Sequence, residues 1–392
     1  MITGINIQKL SVLFFSIFFI FIFVNKDISN LSMILLLITG MASLFYNFPI
    51  KNNFLPLKTI FILCAMILIV SQLHASPLHE IDNYMRFILL LPIYFLFTTF
   101  NIKSNYIDKL LQIAGIAVIL LYLIQHYNIS ESRYQGPSSS PITYANLIMT
   151  LILFLLSSYL RTKNNEKYFK LFILLLLFYI CFETGSKGAI VGFITGLIAI
   201  SLCQGKRTKG IFIIIILIVP LSLTTAVSDK FKIMYSSLVE INVFDFKDST
   251  ELNASENERL YYYFFSLREI AKNPVYGIGP NKFETELRKD INQNNLRITA
   301  RDHSHNEFLD LAVKFGIPVV LAFIYILFFF TKVALKSRSH WLSELLLINV
   351  FSQIGFMLTQ SQLAHHQSTV FFIAVTYILS AQIFLENKKN YP

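Results

Sequence analysis

Seven consecutive residues, Arg301-Asp302-His303-Ser304-His305-Asn306-Glu307, gather the side chains best suited to chemistry in this chain. Histidine, with an unperturbed pKa of about 6.5, can take or give a proton near neutral pH. His303 and His305 are therefore candidates for a general base, and Asn306 for a residue that orients the base or the group it acts on. Ser304 and Glu307 have the Ser-x-x-Glu spacing of a capping box, which predicts a helix starting at Ser304 with His305 in its first turn. The bland alternative is a polar helix cap carrying incidental histidines.

Four cations could meet an anion beside them. Arg259 is placed in the first turn of an expected helix, where its charge opposes the macrodipole. A guanidinium and exposed backbone N–H groups together suit a phosphate. The alternative is a solvated arginine paired with Glu256 or Glu258. Arg86, Arg133 and Lys187 lie at the ends of apolar runs, where a long side chain reaches water at small cost. His365 and His366 have no partner legible in the sequence and are read as solvated. Asp302 and Glu307 could join His303 and His305 as ligands, but the spacing matches no recognised metal motif. There is no phosphate-binding glycine loop or ATP motif, so no cofactor is expected, and the energy of any reaction must come from the substrate.

The elements that position these residues are mostly apolar. The chain has 392 residues, 55% of them hydrophobic, with 38 Phe, and a mean hydropathy of +0.58. This composition indicates an all-α, polytopic integral membrane protein. A span needs about 20 apolar residues. Twelve runs fit, centred on 10–24, 31–48, 59–73, 87–100, 110–125, 141–160, 168–182, 189–203, 211–227, 316–333, 345–359 and 369–385. The run at 10–24 lacks a small-residue cleavage site and reads as a first membrane anchor. Cys64, Cys181 and Cys203 fall in apolar runs, which gives neither a disulfide framework nor a zinc spacing.

With both termini inside, the inner segments hold seventeen Lys and Arg, against Lys26, Arg86, Arg133 and Lys187 in the short outer loops. The bias places both termini in the cytoplasm. It also accounts for most of the net charge of +10 without any nucleic-acid partner. Residues 1–227 then form nine spans and residues 308–392 three more. Residues 228–307 form one large outer loop, long enough to be functional. Within it, Ser255 and Glu258 repeat the Ser-x-x-Glu spacing. Leu260, Tyr263, Phe264, Leu267 and Ala271 follow at helical intervals, and Pro274 ends the run. An amphipathic helix over about 256–273 is expected at the membrane surface.

Four stretches resemble the O-antigen ligase and polymerase superfamily of bacterial envelope glycosyltransferases. His305-Asn306, with Gly316 beyond nine intervening residues, is similar to the family's His-Asn-x9-Gly signature. Arg259 followed by Pro274-x-x-Gly277-x-Gly279 resembles its Arg…Pro-x-x-Gly-x-Gly segment. Gly185-Ser186-Lys187-Gly188-Ala189 is similar to its Ser-Arg-Gly-Ala, with Lys in place of Arg; this keeps the charge and loses the bidentate fork. Arg133-x-x-Gly136 is a weaker match, and Ile317-Pro318-Val319 departs slightly from the family pattern.

The resemblance implies a glycosyltransferase of the bacterial inner membrane with a periplasmic active site. Its donor would be O-antigen on undecaprenyl pyrophosphate and its acceptor lipid A–core. Arg259, Lys187, Arg133 and Arg86 would bind the pyrophosphate, with no nucleotide or obligatory metal. Chain length, the single late loop and the His-x-His-Asn spelling favour the ligase over the related polymerase, which extends lipid-linked repeats. A secondary transporter is the alternative of a different class. Against it stand the lack of halves with matching hydropathy and of charges at mid-span, only Lys314 coming near one.

Overall fold

The computed structural model describes residues 4–46, 55–126, 133–204, 254–294, 296, 298–337 and 340–390. Every regular element among them is helical. In chain order these are α1 (Gly4–Phe21), α2 (Lys26–Tyr46), α3 (Leu57–Leu73), α4 (Asp82–Leu89), α5 (Leu91–Phe97), α6 (Ser104–His126), α7 (Pro141–Arg161), α8 (Glu166–Glu183), α9 (Gly188–Gln204), α10 (Ala254–Lys272), α11 (Phe283–Gln293), α12 (Glu307–Phe315), α13 (Ile317–Lys336), α14 (Trp341–Met357) and α15 (His366–Asn390).

Among the described residues, five helices are long and apolar enough to cross a membrane: α2, α6, α7, α13 and α15. Four shorter apolar helices, α1, α3, α9 and α14, accompany them. A helical membrane protein is thus present, while the count of twelve spans is not established. The run at 87–100 is broken into α4 and α5, with Pro92 near the start of the second, because proline supplies no N–H to continue the first. The run at 211–227 lies outside the described residues.

α7 and α15 form the centre, with 83% and 89% of their apolar stretches buried. Where lipid is as apolar as leucine, helices associate through close packing and polar bridges. Both devices are present. Gly188, Gly192 and Gly196 recur every fourth residue on one face of α9. A Cβ on Gly192 would come within 1.9 Å of the Phe356 ring, and one on Gly355 within 2.6 Å of the Gly192 Cα. α9 and α14 are therefore in near-backbone contact. On α15, Gln382 donates to the Phe97 and Phe100 carbonyls at 2.7 and 3.1 Å.

The ends of the bundle differ. At the Arg161 end of α7, Lys170 is buried. It reaches Asp108 at 2.7 Å and Ser158 at 2.8 Å. Beside it the buried Glu344 is held by Arg161 and by Ser157 at 2.7 Å. The opposite end carries the histidines.

α10 begins within about two residues of its expected start. Its buried side, however, is Tyr262, Phe265 and Ser266, while Leu267 is exposed. The reason is tertiary: Tyr262 and Phe265 share a small core with Ile278, Phe283, Leu287, Ile291 and Val313. That core turns the helix away from its purely amphipathic face.

Candidate functional site

α12 starts later than the capping-box spacing predicts. Its cap is Asn306, whose Oδ1 accepts from the Phe308 and Leu309 N–H groups at 3.0 and 3.1 Å. Asn306 wins because its side chain reaches two orphan donors of the first turn. Ser304 instead turns back: its Oγ donates to the Asn306 carbonyl at 2.8 Å, and its N–H donates to the buried Asp310 Oδ1 at 2.9 Å. His305 therefore precedes the helix, with a φ of 58°. That left-handed conformation is uncommon for a residue with a Cβ and clusters at functional sites. Ser255 likewise lies inside α10, which puts Arg259 in the second turn of the helix and not its first.

His305 is fixed on several sides. Its ring stacks on Tyr262, centroids 5.8 Å apart and 22° between planes, and its carbonyl accepts from Tyr263 Oη at 3.3 Å. The His303 ring meets it edge-on at 4.4 Å. His303 Nδ1 lies 2.6 Å from Asp302 Oδ1, while its Nε2 is buried and has no hydrogen-bond partner. The carboxylate selects the Nδ1–H tautomer, leaving a lone pair on Nε2, as in acid–histidine dyads.

His365 corrects the expectation of a solvated pair. Its ring lies 5.8 Å from His303, and its Nε2 is 2.6 Å from Gln360 Nε2. Gln360 Oε1 is in turn 3.2 Å from His305 Nδ1. Three imidazoles thus surround one point, with one amide joining two of them. His366 is exposed, yet it too has a partner, Asn30 Oδ1 at 2.9 Å. Sequence reasoning missed Gln360 and His365 because the turn between α14 and α15 lies more than fifty residues away and carries no spacing motif. The one available signal was a second pair of histidines, His365 and His366, between two apolar runs.

Burial governs the proton affinities. Desolvation, with His303 beside it, lowers the His305 pKa to about 4. The same causes lower that of His365 to about 4. Both rings are neutral at physiological pH and able to accept a proton. Asp302 is held well below the usual carboxylate range, chiefly by its hydrogen bond to His303. Glu307 is fully buried; desolvation and then Asp310 raise its pKa to about 8. Its Oε2 accepts from the Leu363 N–H at 2.7 Å, tying the start of α12 to the turn bearing Gln360 and His365.

The expected cations fall in three places. Arg259 and Arg301 both act electrostatically on His305, so Arg301 joins the site although the sequence reading assigned it no role. Arg133 and Lys187 come together at a second place. Arg133 Nε donates to the Thr184 carbonyl at 2.9 Å, and the Tyr134 N–H to the Glu183 carbonyl at 3.1 Å. This docks the 133–137 turn on the turn that presents Lys187. A Cβ on Gly188 would lie 2.8 Å from Thr359 Oγ1. Thr359 stands between Leu358, whose carbonyl accepts from Asn306 Nδ2 at 3.2 Å, and Gln360. One three-residue turn therefore separates the Lys187 turn from His305. Arg86 is the third case. It is buried and engaged by Asp82 at 2.6 Å and by the His366 carbonyl at 3.2 Å.

The glycine motifs hold each other. Gly316 ends α12 at φ 92°, and a Cβ there would lie 2.0 Å from the Val275 carbonyl oxygen. Gly277, at φ 61°, would place one 2.5 Å from the Val313 carbonyl oxygen. The Ile278 and Gly279 N–H groups donate to the Val313 and Lys314 carbonyls at 2.8 and 3.1 Å. The 274–279 turn thereby satisfies carbonyls at the end of α12 that a helix C-terminus otherwise leaves unpaired. It also links α10 to the helix that Asn306 starts. Among the described residues, no group of three or more His, Cys, Asp or Glu is arranged to hold a metal ion.

Fold and site together define a helical membrane protein with neutral imidazoles and several cations at one end of its bundle. Residues 172–324 match a family model described as O-Antigen ligase. The matched segment contains Lys187, Arg259, His303, His305, Asn306 and Gly316. The match covers less than half of this chain and marks that segment as similar to the O-antigen ligase family. An uncharacterized protein of Haemophilus influenzae is 23% identical over 322 residues, covering 77% of this chain and 79% of its own length.

Proposed function

We propose that the protein is an O-antigen ligase, transferring O-antigen polysaccharide from undecaprenyl pyrophosphate to the outer core of lipid A–core on the periplasmic face of the inner membrane. The observation that carries this reading is the neutral His305, held beside Arg259 and Arg301 within the segment that matches the O-antigen ligase family. His305 takes the proton from the acceptor hydroxyl as its oxygen attacks the anomeric carbon. The bond from that carbon to the phosphate oxygen breaks, its electron pair leaves with the undecaprenyl pyrophosphate, and the configuration inverts.

Negative charge develops on the departing pyrophosphate, and fixed cations in a water-poor site stabilise it. Arg259, Lys187 and Arg133 are assigned this role. Arg86, engaged by Asp82 and the His366 carbonyl, has the smallest share. Asn306 positions His305 by capping α12 and holding the Leu358 carbonyl. His303 is a second base candidate, since Asp302 orients its ring and leaves Nε2 available.

The test is complementation with His305→Ala. Loss of transfer of at least 100-fold is expected, on the order of what one general base contributes, with unchanged amounts of protein in the membrane. Full activity in that variant contradicts the assignment of His305 as base.

A further inference from the structure

Gln360 hydrogen-bonds to two of the three imidazoles. An amide has one donating end and one accepting end, and here each end meets a ring nitrogen. The oxygen can only accept, so His305 must present Nδ1–H to it (3.2 Å). The NH2 can only donate, so His365 must present a bare Nε2 (2.6 Å). In this orientation of the amide the two rings are held in the same tautomer, each with its proton on Nδ1 and its lone pair on Nε2. If the amide were rotated by half a turn, both rings would switch together, because the donor and acceptor ends would exchange.

We propose that Gln360 and His365 are positioning residues that set the tautomer of His305, so that its Nε2 is the nitrogen available to the acceptor hydroxyl. The proposal rests on the reading of His305 as the base. Nothing in the family signature of the 301–316 segment contains either residue. Both belong to the turn between α14 and α15, outside the matched segment.

Three further observations support it. The turn is held in place independently of the histidines, by Glu307 Oε2 on the Leu363 N–H at 2.7 Å and by Asn306 Nδ2 on the Leu358 carbonyl at 3.2 Å. Gln360 is itself buried, so water does not compete strongly for its amide. Burial keeps both rings neutral, and charged groups from the packed elements act beside it. On His305 these are His303, Arg259 from α10 and Arg301. On His365 they are His303, Asp302 and Asp310, and burial outweighs the two acids. A neutral ring has a tautomer to be set, whereas an imidazolium has none.

The experiment uses the full chain in detergent with histidine labelled by 15N in the imidazole ring, and His305→Gln to assign its signals. Ring 15N shifts at pH 7 are expected to show His305 protonated on Nδ1 alone. Gln360→Met, close in shape and without the amide, should mix the two tautomers. Its transfer rate should fall by on the order of 10- to 100-fold, the loss seen when a hydrogen-bond partner that fixes the tautomer of a metal-binding histidine is removed. Gln360→Glu should retain the Nδ1–H partner while its carboxylate stabilises the imidazolium. The acid limb of its pH–activity profile should move up towards neutrality, a shift that loss of packing alone does not produce.

An Nε2-protonated His305 in the unsubstituted protein overturns the proposal, and that reading needs no variant to fold. An unchanged tautomer in Gln360→Met overturns it equally. If the tautomers behave as stated but His305→Gln transfers glycan normally, the positioning stands and the assignment of His305 as base falls.

Discussion

At the scale of single residues, the site is a contest between burial and charge, and burial decides it. His305 and His365 lose their protons early chiefly because of desolvation, with His303 acting in the same direction, while desolvation keeps the proton on Glu307 late. The stability consequences have opposite signs. Glu307 binds a proton in the folded state up to about pH 8, against an ordinary glutamate value of 4.5 in the unfolded chain. Its contribution to stability is therefore complete below about 4.5 and lost as pH rises through about 8. The melting temperature in detergent is expected to fall between pH 6.5 and about 8, where the folded state still holds a proton that the unfolded chain has lost. Glu307→Gln, which can still accept from the Leu363 N–H, should remove most of that fall; an equal slope in the variant contradicts the assignment. The two histidines act in the separate window between about 4 and 6.5, where protonation of the unfolded chain lowers stability as pH falls. The seven residues from Arg301 to Glu307 were legible as a site because so many reactive types stand side by side. Gln360, His365 and the contribution of Arg301 were not, because only the folded chain brings them to one point.

At the scale of elements, the arrangement depends on where helices start and stop. Two Ser-x-x-Glu spacings announced helix starts, and neither marks one. At α12 the asparagine next along caps better, and at α10 the helix already includes the serine. The glycine motifs were legible by resemblance only, and their reason is steric: Gly277 and Gly316 let the 274–279 turn lie against the backbone at the end of α12. Gly316→Ala is expected to destabilise the protein by at least about 1–3 kcal/mol, the range for a strained backbone conformation, since its Cβ would sit 2.0 Å from the Val275 oxygen. A lowered melting temperature in detergent checks this, and a midpoint equal to that of the unsubstituted protein contradicts it. The buried side of α10 was misread because hydrophobic periodicity assumes a flat membrane partner, whereas Tyr262 and Phe265 pack into a small core of their own.

At the scale of the whole molecule, apolar composition announced a helical membrane protein, and five long apolar helices bear that out. The count of twelve spans is not established: among the described residues five helices are long and apolar enough to cross, one apolar run is broken near Pro92, and the run at 211–227 lies outside the described residues. The polar residues divide between two ends of the bundle. One end holds carboxylates neutralised by Lys170 and Arg161, which serve as internal glue. The other holds the neutral imidazoles of His305 and His365 near several cations, an arrangement suited to moving a proton beside an anion. The central claim is that this end joins a lipid-linked glycan to lipid A–core. The most direct test is a gel of lipopolysaccharide from a strain deleted for the gene, with the lipid-carrier fraction probed alongside. The account predicts bare lipid A–core and full-length glycan retained on its carrier, both reversed by the intact gene. An unchanged ladder of glycan on lipid A–core would contradict it, and a core bearing a single repeat would reassign the protein to polymerisation.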